Sequence, residues 1–168
     1  MELADQLRTD GITKGLCTPW QTKLKPGMKI SAMIALYIKG IDFCIKNDYP
    51  TLEFIRENFK GKCEPYGAFI DAEITDRVNA PDTVLNGDCK AILEYNGYSV
   101  SRIYSRHNTK ASINASDYAK VTIDAFDNSK LVVAVSGNAQ VSVNLYGRAK
   151  VQCVGTGIKV RHMKKETY

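Results

Sequence analysis

The sequence lacks most of the motifs that mark an enzyme or a membrane protein. No G-x-S-x-G, H-E-x-x-H, G-x-G-x-x-G or phosphate-loop pattern occurs, and neither His107 nor His162 has a cysteine or serine motif around it. The longest apolar run, residues 32–38, is far shorter than the roughly 20 residues that cross a bilayer. These absences predict a protein that is not an enzyme and does not insert into a membrane.

Paired cysteines and a secretion signal are also missing. The five cysteines are widely spaced without a C-x-x-C pair, so no metal site and no cofactor are expected. Cys44 lies in an apolar stretch and Cys153 at an inward position of the repeat described next, which predicts that both are small core residues. The opening segment MELADQLRTDG has no basic region followed by an apolar one, so it predicts no signal peptide and synthesis in a bacterial cytoplasm.

What the sequence does contain is a ten-residue repeat over residues 91–160 that keeps its phase without an insertion. Within each block apolar and polar residues alternate over five positions, and Asn, Asp or Gly follow. Alternation predicts a strand with one buried face, and the residues after it predict a turn. The third position of every block is inward and apolar: Leu93, Ile103, Ile113, Ile123, Val133, Val143 and Cys153.

The sixth position adds a second period of twenty residues. Large side chains occur there in alternate blocks, at Arg106, Phe126 and Tyr146, with small polar residues between them. A β-solenoid with about 20 residues per coil explains this period, because equivalent positions stack about 4.8 Å apart on successive coils. A β-sandwich of evenly spaced hairpins is the alternative. We expect about three and a half coils, and the usual crossover preference favours a right-handed one.

Residues 1–80 lack the repeat and are predicted to be helical. Residues 29–47 have an amphipathic spacing with Gly40 as a weak point, and residues 51–59 form a second, short helix. Because the open ends of a solenoid must be covered, this region is predicted to cap the first coil and to dock to partners. The predicted class is α+β, with a helical capping region at 1–80 and a β-solenoid with a basic tail at 81–168.

The junction between the two regions is less regular. Residues 68–74 alternate like a strand, and residues 75–81 have the composition of a linker. Residues 84–90 predict the first, imperfect strand of the array.

Positive charge is concentrated in the second region. Residues 1–80 have 11 Lys+Arg and 11 Asp+Glu, whereas residues 81–168 have 12 and 7 and so carry the whole net charge of +5. Lys110, Lys130 and Lys150 recur every twenty residues and are predicted to form a column. The column either protects exposed sheet edges from pairing or binds an anionic polymer such as an acidic polysaccharide. A net charge of +5 is too small to favour nucleic acid.

The large residues of the sixth position are a second candidate surface. Phe126 and Tyr146, with Arg106 in line, are candidate glycan-binding residues because aromatic rings on a flat sheet stack against sugars. Stacked rings also stabilise a solenoid without any ligand, and both interpretations stay open. Asp124 and Asp127 are the nearest approach to the carboxylate pair of a glycosidase, but a strand position and a turn position argue against a shared cleft.

Most of the chain resembles a group of small uncharacterised proteins encoded by phages and integrated elements of gut Bacteroidota. The segments that carry the resemblance are IDFCIKNDYPTLEFIRENFKGKCEPYGAFID, NGDCKAILEYNGYSVSRIYSRHN and the array that follows. The array alone is also loosely similar to β-helical adhesin-like domains of bacteria. The resemblance implies a structural protein located in a virion, such as a tail, fibre or capsid-associated part. Its implied partners are other virion proteins or copies of itself, and it implies no site residues.

Overall fold

The computed structural model describes every residue from Met1 to Tyr168, and the chain divides into two compact units. The first consists of residues 1–66 together with Tyr168, and the second of residues 67–167. The expected boundary at residue 80 lies too far along the chain, because two strands of the second unit precede it.

The first unit is helical, and the two predicted helical stretches are confirmed. Its sequence also forms an N-terminal helix that was not predicted, in which Ala4, Leu7 and Gly11 are the buried residues. The helices are α1 Leu3–Thr13, α2 Thr18–Gln21, α3 Ile30–Lys39, α4 Ile41–Lys46 and α5 Leu52–Asn58, and a single 3₁₀ turn follows at Glu64–Tyr66.

Gly40 divides the predicted long helix into α3 and α4. Its φ of −106° and ψ of 28° are outside the helical range, so the chain bends there. The indole of Trp20 packs against it, at 3.4 Å from the place where a Cβ would stand. The next helix starts at a regular cap, because the Thr51 hydroxyl accepts a hydrogen bond from the Phe54 backbone N–H at 3.3 Å.

The second unit is a parallel β-solenoid made of two sheets, which confirms the predicted fold. Sheet A has six strands in the order β1-β3-β5-β7-β9-β11, and sheet B has five in the order β10-β8-β6-β4-β2. The strands are β1 Ala68–Ile70, β2 Glu73–Val78, β3 Asp82–Asn86, β4 Lys90–Tyr95, β5 Val100–Ser105, β6 Lys110–Ala115, β7 Lys120–Ala125, β8 Lys130–Val135, β9 Gln140–Leu145, β10 Lys150–Val154 and β11 Ile158–His162.

The core lies between the two sheets, and the third positions of the blocks from Leu93 to Val143 are among its most buried residues. In sheet A, Ile103 pairs with Ile123 and Ile123 with Val143. In sheet B, Leu93 pairs with Ile113 and Ile113 with Val133 in the same way. All six of these side chains are fully buried. Because paired residues are twenty positions apart, similar apolar side chains stack on one another in successive coils. A slip of one residue would turn these side chains to solvent.

The turns are joined by a side-chain ladder along the axis. Three of the seven non-glycine residues with positive φ occupy equivalent turn positions, His107 at 59°, Asp117 at 56° and Asp127 at 57°. Each side chain accepts a hydrogen bond from a backbone N–H one coil earlier: His107 Nδ1 from Gly87 at 2.9 Å, Asp117 Oδ2 from Gly97 at 2.8 Å, and Asp127 Oδ2 from His107 at 2.8 Å. These bonds offset the cost of about 1–2 kcal/mol that the left-handed conformation imposes.

At its start the solenoid is longer than expected. The stretch 75–81 was predicted to be a linker and this is wrong, because it contains much of β2. With β1 and β2 included the solenoid has about five coils, not three and a half. The alternation of apolar and polar residues that predicts a strand is broken in β2. The reason is that β2 shifts its register against β4 between Ile74 and Arg77.

At its end the ten-residue phase is not kept. Ile158 pairs with Val141, seventeen residues earlier, so the last block is shorter than the others. The turn before β11 is tight, because a Cβ on Gly155, whose φ is 93°, would lie 2.1 Å from the Val135 carbonyl oxygen. Only glycine fits this close approach between two backbones.

Candidate binding face

The predicted column of lysines is present in the structure. Lys110 pairs with Lys130, and Lys130 with Lys150, along sheet B. Lys90 extends it by one coil, since it pairs with Lys110. We call Lys90, Lys110, Lys130 and Lys150 the lysine column. Lys90 was not predicted as part of the column because it ends an imperfect block, although the twenty-residue spacing includes it.

The lysine column borders an open groove on the outer face of sheet B. The groove has a volume of about 670 Å³. Beside the lysines runs a row formed by Ile92, Ser112, Val132 and Gln152, in which Ile92 and Val132 are 44% and 40% exposed. We call this row together with the lysine column the sheet B face. Every coil contributes the same backbone positions to it, so its side chains repeat from coil to coil.

Three lysines of this column have no acidic partner. Lys90 faces Glu73, with Nζ 3.8 Å from Oε1, whereas no carboxylate lies within 4.0 Å of the other three ammonium groups. Other outward columns pair complementary groups: Asn114 Nδ2 donates to Glu94 Oε1 at 2.7 Å, and Asn144 Nδ2 to Asp124 Oδ1 at 2.7 Å. Like charges opposite one another in a sheet are destabilising, so the lysine column is an exception to how this solenoid is built.

Neither the turn geometry nor protection of a sheet edge accounts for all four lysines. The equivalent exposed position, the first residue of the sheet A strands β5, β7 and β9, holds Val100, Lys120 and Gln140, so the turn itself does not demand lysine. Lys110 and Lys130 lie in the interior strands β6 and β8. Protection of an edge therefore explains only Lys150, which lies in the edge strand β10.

The other three candidate residues do not lie on this face. Arg106, Phe126 and Tyr146 are only 3%, 2% and 5% exposed, so a ligand on the surface cannot contact them. The rings of Phe126 and Tyr146 stack with centroids 4.6 Å apart and planes at 16°, and burial raises the pKa of the Tyr146 phenol. Their column is a structural ladder, because its side chains contact one another from coil to coil.

A different aromatic pair is exposed. Tyr98 and Tyr118 lie in turns that follow β4 and β6, and their rings stack with centroids 5.0 Å apart and planes at 6°. They are 82% and 51% exposed. The pair therefore lies beyond the ends of the two strands that Lys90 and Lys110 begin. In the sequence the two tyrosines are twenty residues apart, each at the eighth position of its block.

The carboxylates that resembled a glycosidase pair are used within the solenoid. Asp124 accepts the hydrogen bond from Asn144, and Asp127 accepts the one from the His107 backbone at 2.8 Å. No group of three or more metal-ligating side chains occurs in the chain. No helix of the chain is long and apolar enough to cross a membrane.

All five cysteines are free thiols, and one prediction about them is wrong. Cys44, Cys63 and Cys89 are buried, and burial raises the pKa of the Cys89 thiol. Cys153 pairs with Val133 and so has the inward register that was predicted, but it is exposed. The reason is that β10 is the last strand of sheet B, and no further coil covers it.

Comparison of the chain with protein-family models, with curated proteins and with solved structures found no match.

Proposed function

We propose that the protein is a non-enzymatic structural or attachment protein, and that it is a component of a phage virion such as a tail, a fibre or a capsid-associated part. The observation that carries the proposal is the uninterrupted solenoid, in which side-chain columns and turn ladders repeat from coil to coil. Such a rod presents its surfaces at fixed positions and has few loops that a protease can cut. The resemblance to phage-encoded proteins supports the virion as its location.

The proposal is tested on phage particles from the culture that produces the protein. Particles are separated on a density gradient, and peptides are quantified by mass spectrometry across the fractions. We expect this protein to follow the capsid protein at a constant ratio, while an abundant host protein, the control for carry-over, does not. Presence in the lysate with absence from the particles would contradict the virion location.

A second function is favoured by a specific observation, the three lysines without an acidic partner. We infer that the sheet B face binds an anionic polymer, with lysines on strands about 4.8 Å apart along the axis and a row of uncharged side chains beside them. An acidic polysaccharide fits this face better than nucleic acid does. The face has no aromatic side chain for stacking bases and no arginine fork for phosphates.

Changing Lys110, Lys130 and Lys150 together to glutamine tests this second function. Each lysine near a polyanion contributes up to about 1 kcal/mol, so we expect affinity for heparin at low salt to fall roughly 10- to 100-fold. The matched control changes Lys25, Lys39 and Lys46, which are exposed lysines of the helical unit, and removes the same charge. Equal losses in the two triple variants would indicate that only net charge matters, and unchanged binding would exclude the lysine column as the site.

A further inference from the structure

Both ends of sheet B are open strand edges. β2 has β4 as its single strand neighbour, and β10 has β8. The exposed apolar residues of sheet B include one at each end, Val78 at 53% and Val154 at 60%. The inward residue Cys153 is exposed as well. Unpaired backbone groups beside exposed apolar side chains are the usual features of an edge to which another strand adds.

The two ends of the solenoid carry opposite charge. Residues 67–89 contain five Asp+Glu and one Lys+Arg, a net charge of −4. Residues 150–168 contain five Lys+Arg and one Asp+Glu, a net charge of +4. Two identical ends would repel each other, whereas the first end of one copy attracts the last end of another.

The columns of sheet B show how such ends fit together. Glu73 stands at the start of the lysine column, in register with Lys90, and Lys150 stands at its end. Val78 and Val154 begin and end another column, the one that contains Glu94, Asn114 and Ala134. If β2 of a second copy follows β10 in this register, Lys150 gains the carboxylate of Glu73 and Val154 gains Val78.

The inward column completes the match. Arg77 is in register with Leu93, in the column that ends at Cys153. In its own chain the Arg77 guanidinium covers the Phe69 ring, at 5.0 Å from the centroid, and donates to Thr83 Oγ1 at 2.9 Å. In a stacked pair the same side chain lies over the exposed Cys153 of the preceding copy.

We propose that this chain binds a second copy of itself head to tail, with β10 of one copy adding to β2 of the next so that sheet B continues across both. The contact is made through sheet B alone, because β1, the first strand of sheet A, is buried along its whole length. Two different surfaces meet, so the interaction does not close into a dimer, and repeated addition gives a filament or a ring.

The test measures molar mass in solution by light scattering and sedimentation, from about 1 μM to about 1 mM, the range in which small interfaces associate. We expect the mass to rise above the 18.7 kDa of one chain with increasing concentration. We expect it to fall again in about 1 M salt, where the screening length is only about 3 Å. The rate of alkylation of Cys153 should fall as the mass rises, while that of Cys17, the exposed cysteine of the helical unit, stays constant.

Charge exchange identifies the two surfaces. Glu73→Lys places a lysine opposite Lys150 at the contact, and Lys150→Glu places a glutamate opposite Glu73, so we expect repulsion at this pair to keep each variant alone monomeric. An equimolar mixture should associate again, because each variant then meets an opposite charge. Lys130→Glu is the matched control, since it makes the same change in the same column one coil from the end, and it should associate like the original protein.

Two results would overturn the proposal. One is a mass of a single chain up to about 1 mM in low salt. The other is association that persists in both single variants, provided that circular dichroism shows the variants folded. Since purified protein is used without particles, this experiment can fail while the virion experiment succeeds, and the reverse.

Discussion

Replacing Ile123 with alanine is expected to lower the free energy of unfolding of the solenoid by about 2–5 kcal/mol. Ile123 is fully buried and pairs with Ile103 on one side and Val143 on the other, so its loss leaves a cavity in the middle of the core. The neighbouring coils cannot close it, because their backbones are held in register by ladders of hydrogen bonds. Against a typical total of about 5–15 kcal/mol, this loss is large.

Thr122→Ala is the control, because Thr122 is the exposed neighbour of Ile123 in the same strand, and we expect a change within about 0.5 kcal/mol. Unfolding in urea is followed by circular dichroism of the strands. The only tryptophan, Trp20, is in the helical unit, so its fluorescence reports that unit separately. Similar losses for Ile123→Ala and Thr122→Ala would contradict the assigned core.

Replacing Gly155 with alanine is expected to destabilise the last coil by more than about 2 kcal/mol. A side chain at its φ of 93° is itself unfavourable, and the new Cβ would lie 2.1 Å from the Val135 carbonyl oxygen. Because that oxygen belongs to the backbone of β8, no rotation of a side chain relieves the clash. The turn must open, and β11 loses its register with β9.

Gly97→Ala is the matched control for this change. Gly97 also has positive φ, 59°, but no atom lies within 4 Å of an added Cβ, so we expect only the conformational cost of about 1–2 kcal/mol. Hydrogen exchange of amides in β9 and β11 locates the effect, which should be confined to the last coil in Gly155→Ala. Equal exchange in the two variants would mean that the approach to Val135 is not close.

The regular part of the solenoid could be predicted because each residue there repeats the environment of the residue twenty positions away. The inward series from Leu93 to Val143 predicted strands β4 to β9, and the spacing of lysines predicted the lysine column. Both follow from the alternation of side chains and from constant stacking, which are local properties of a strand. The break at Gly40 followed from helix propensity in the same local way.

The ends of the solenoid and the exposure of side chains could not be predicted, because they depend on what is packed against them. Cys153 has the same inward register as Val133, yet it is exposed because no coil follows. Phe126 and Tyr146 stand at the sixth position, one residue after an inward one, where the alternation predicts an outward side chain. Both are nevertheless buried. The shortened turn at Gly155 is set by a backbone contact with Val135, twenty residues earlier, which no local pattern encodes.

The turn ladder has a consequence for how proteins of this architecture grow or shrink by mutation. The backbone N–H at the seventh position of one turn is satisfied by a side chain twenty residues later, as in the pair of Gly97 and Asp117. Duplicating or deleting twenty residues keeps turn stacked on equivalent turn, because one whole coil is added or removed. A change of ten would place residues of sheet A in sheet B, and the ring of Phe126 would then stack on the small Ser116 or Ser136. The length of the rod can therefore change by whole coils, and a gene that encodes it gains or loses sixty base pairs at a time.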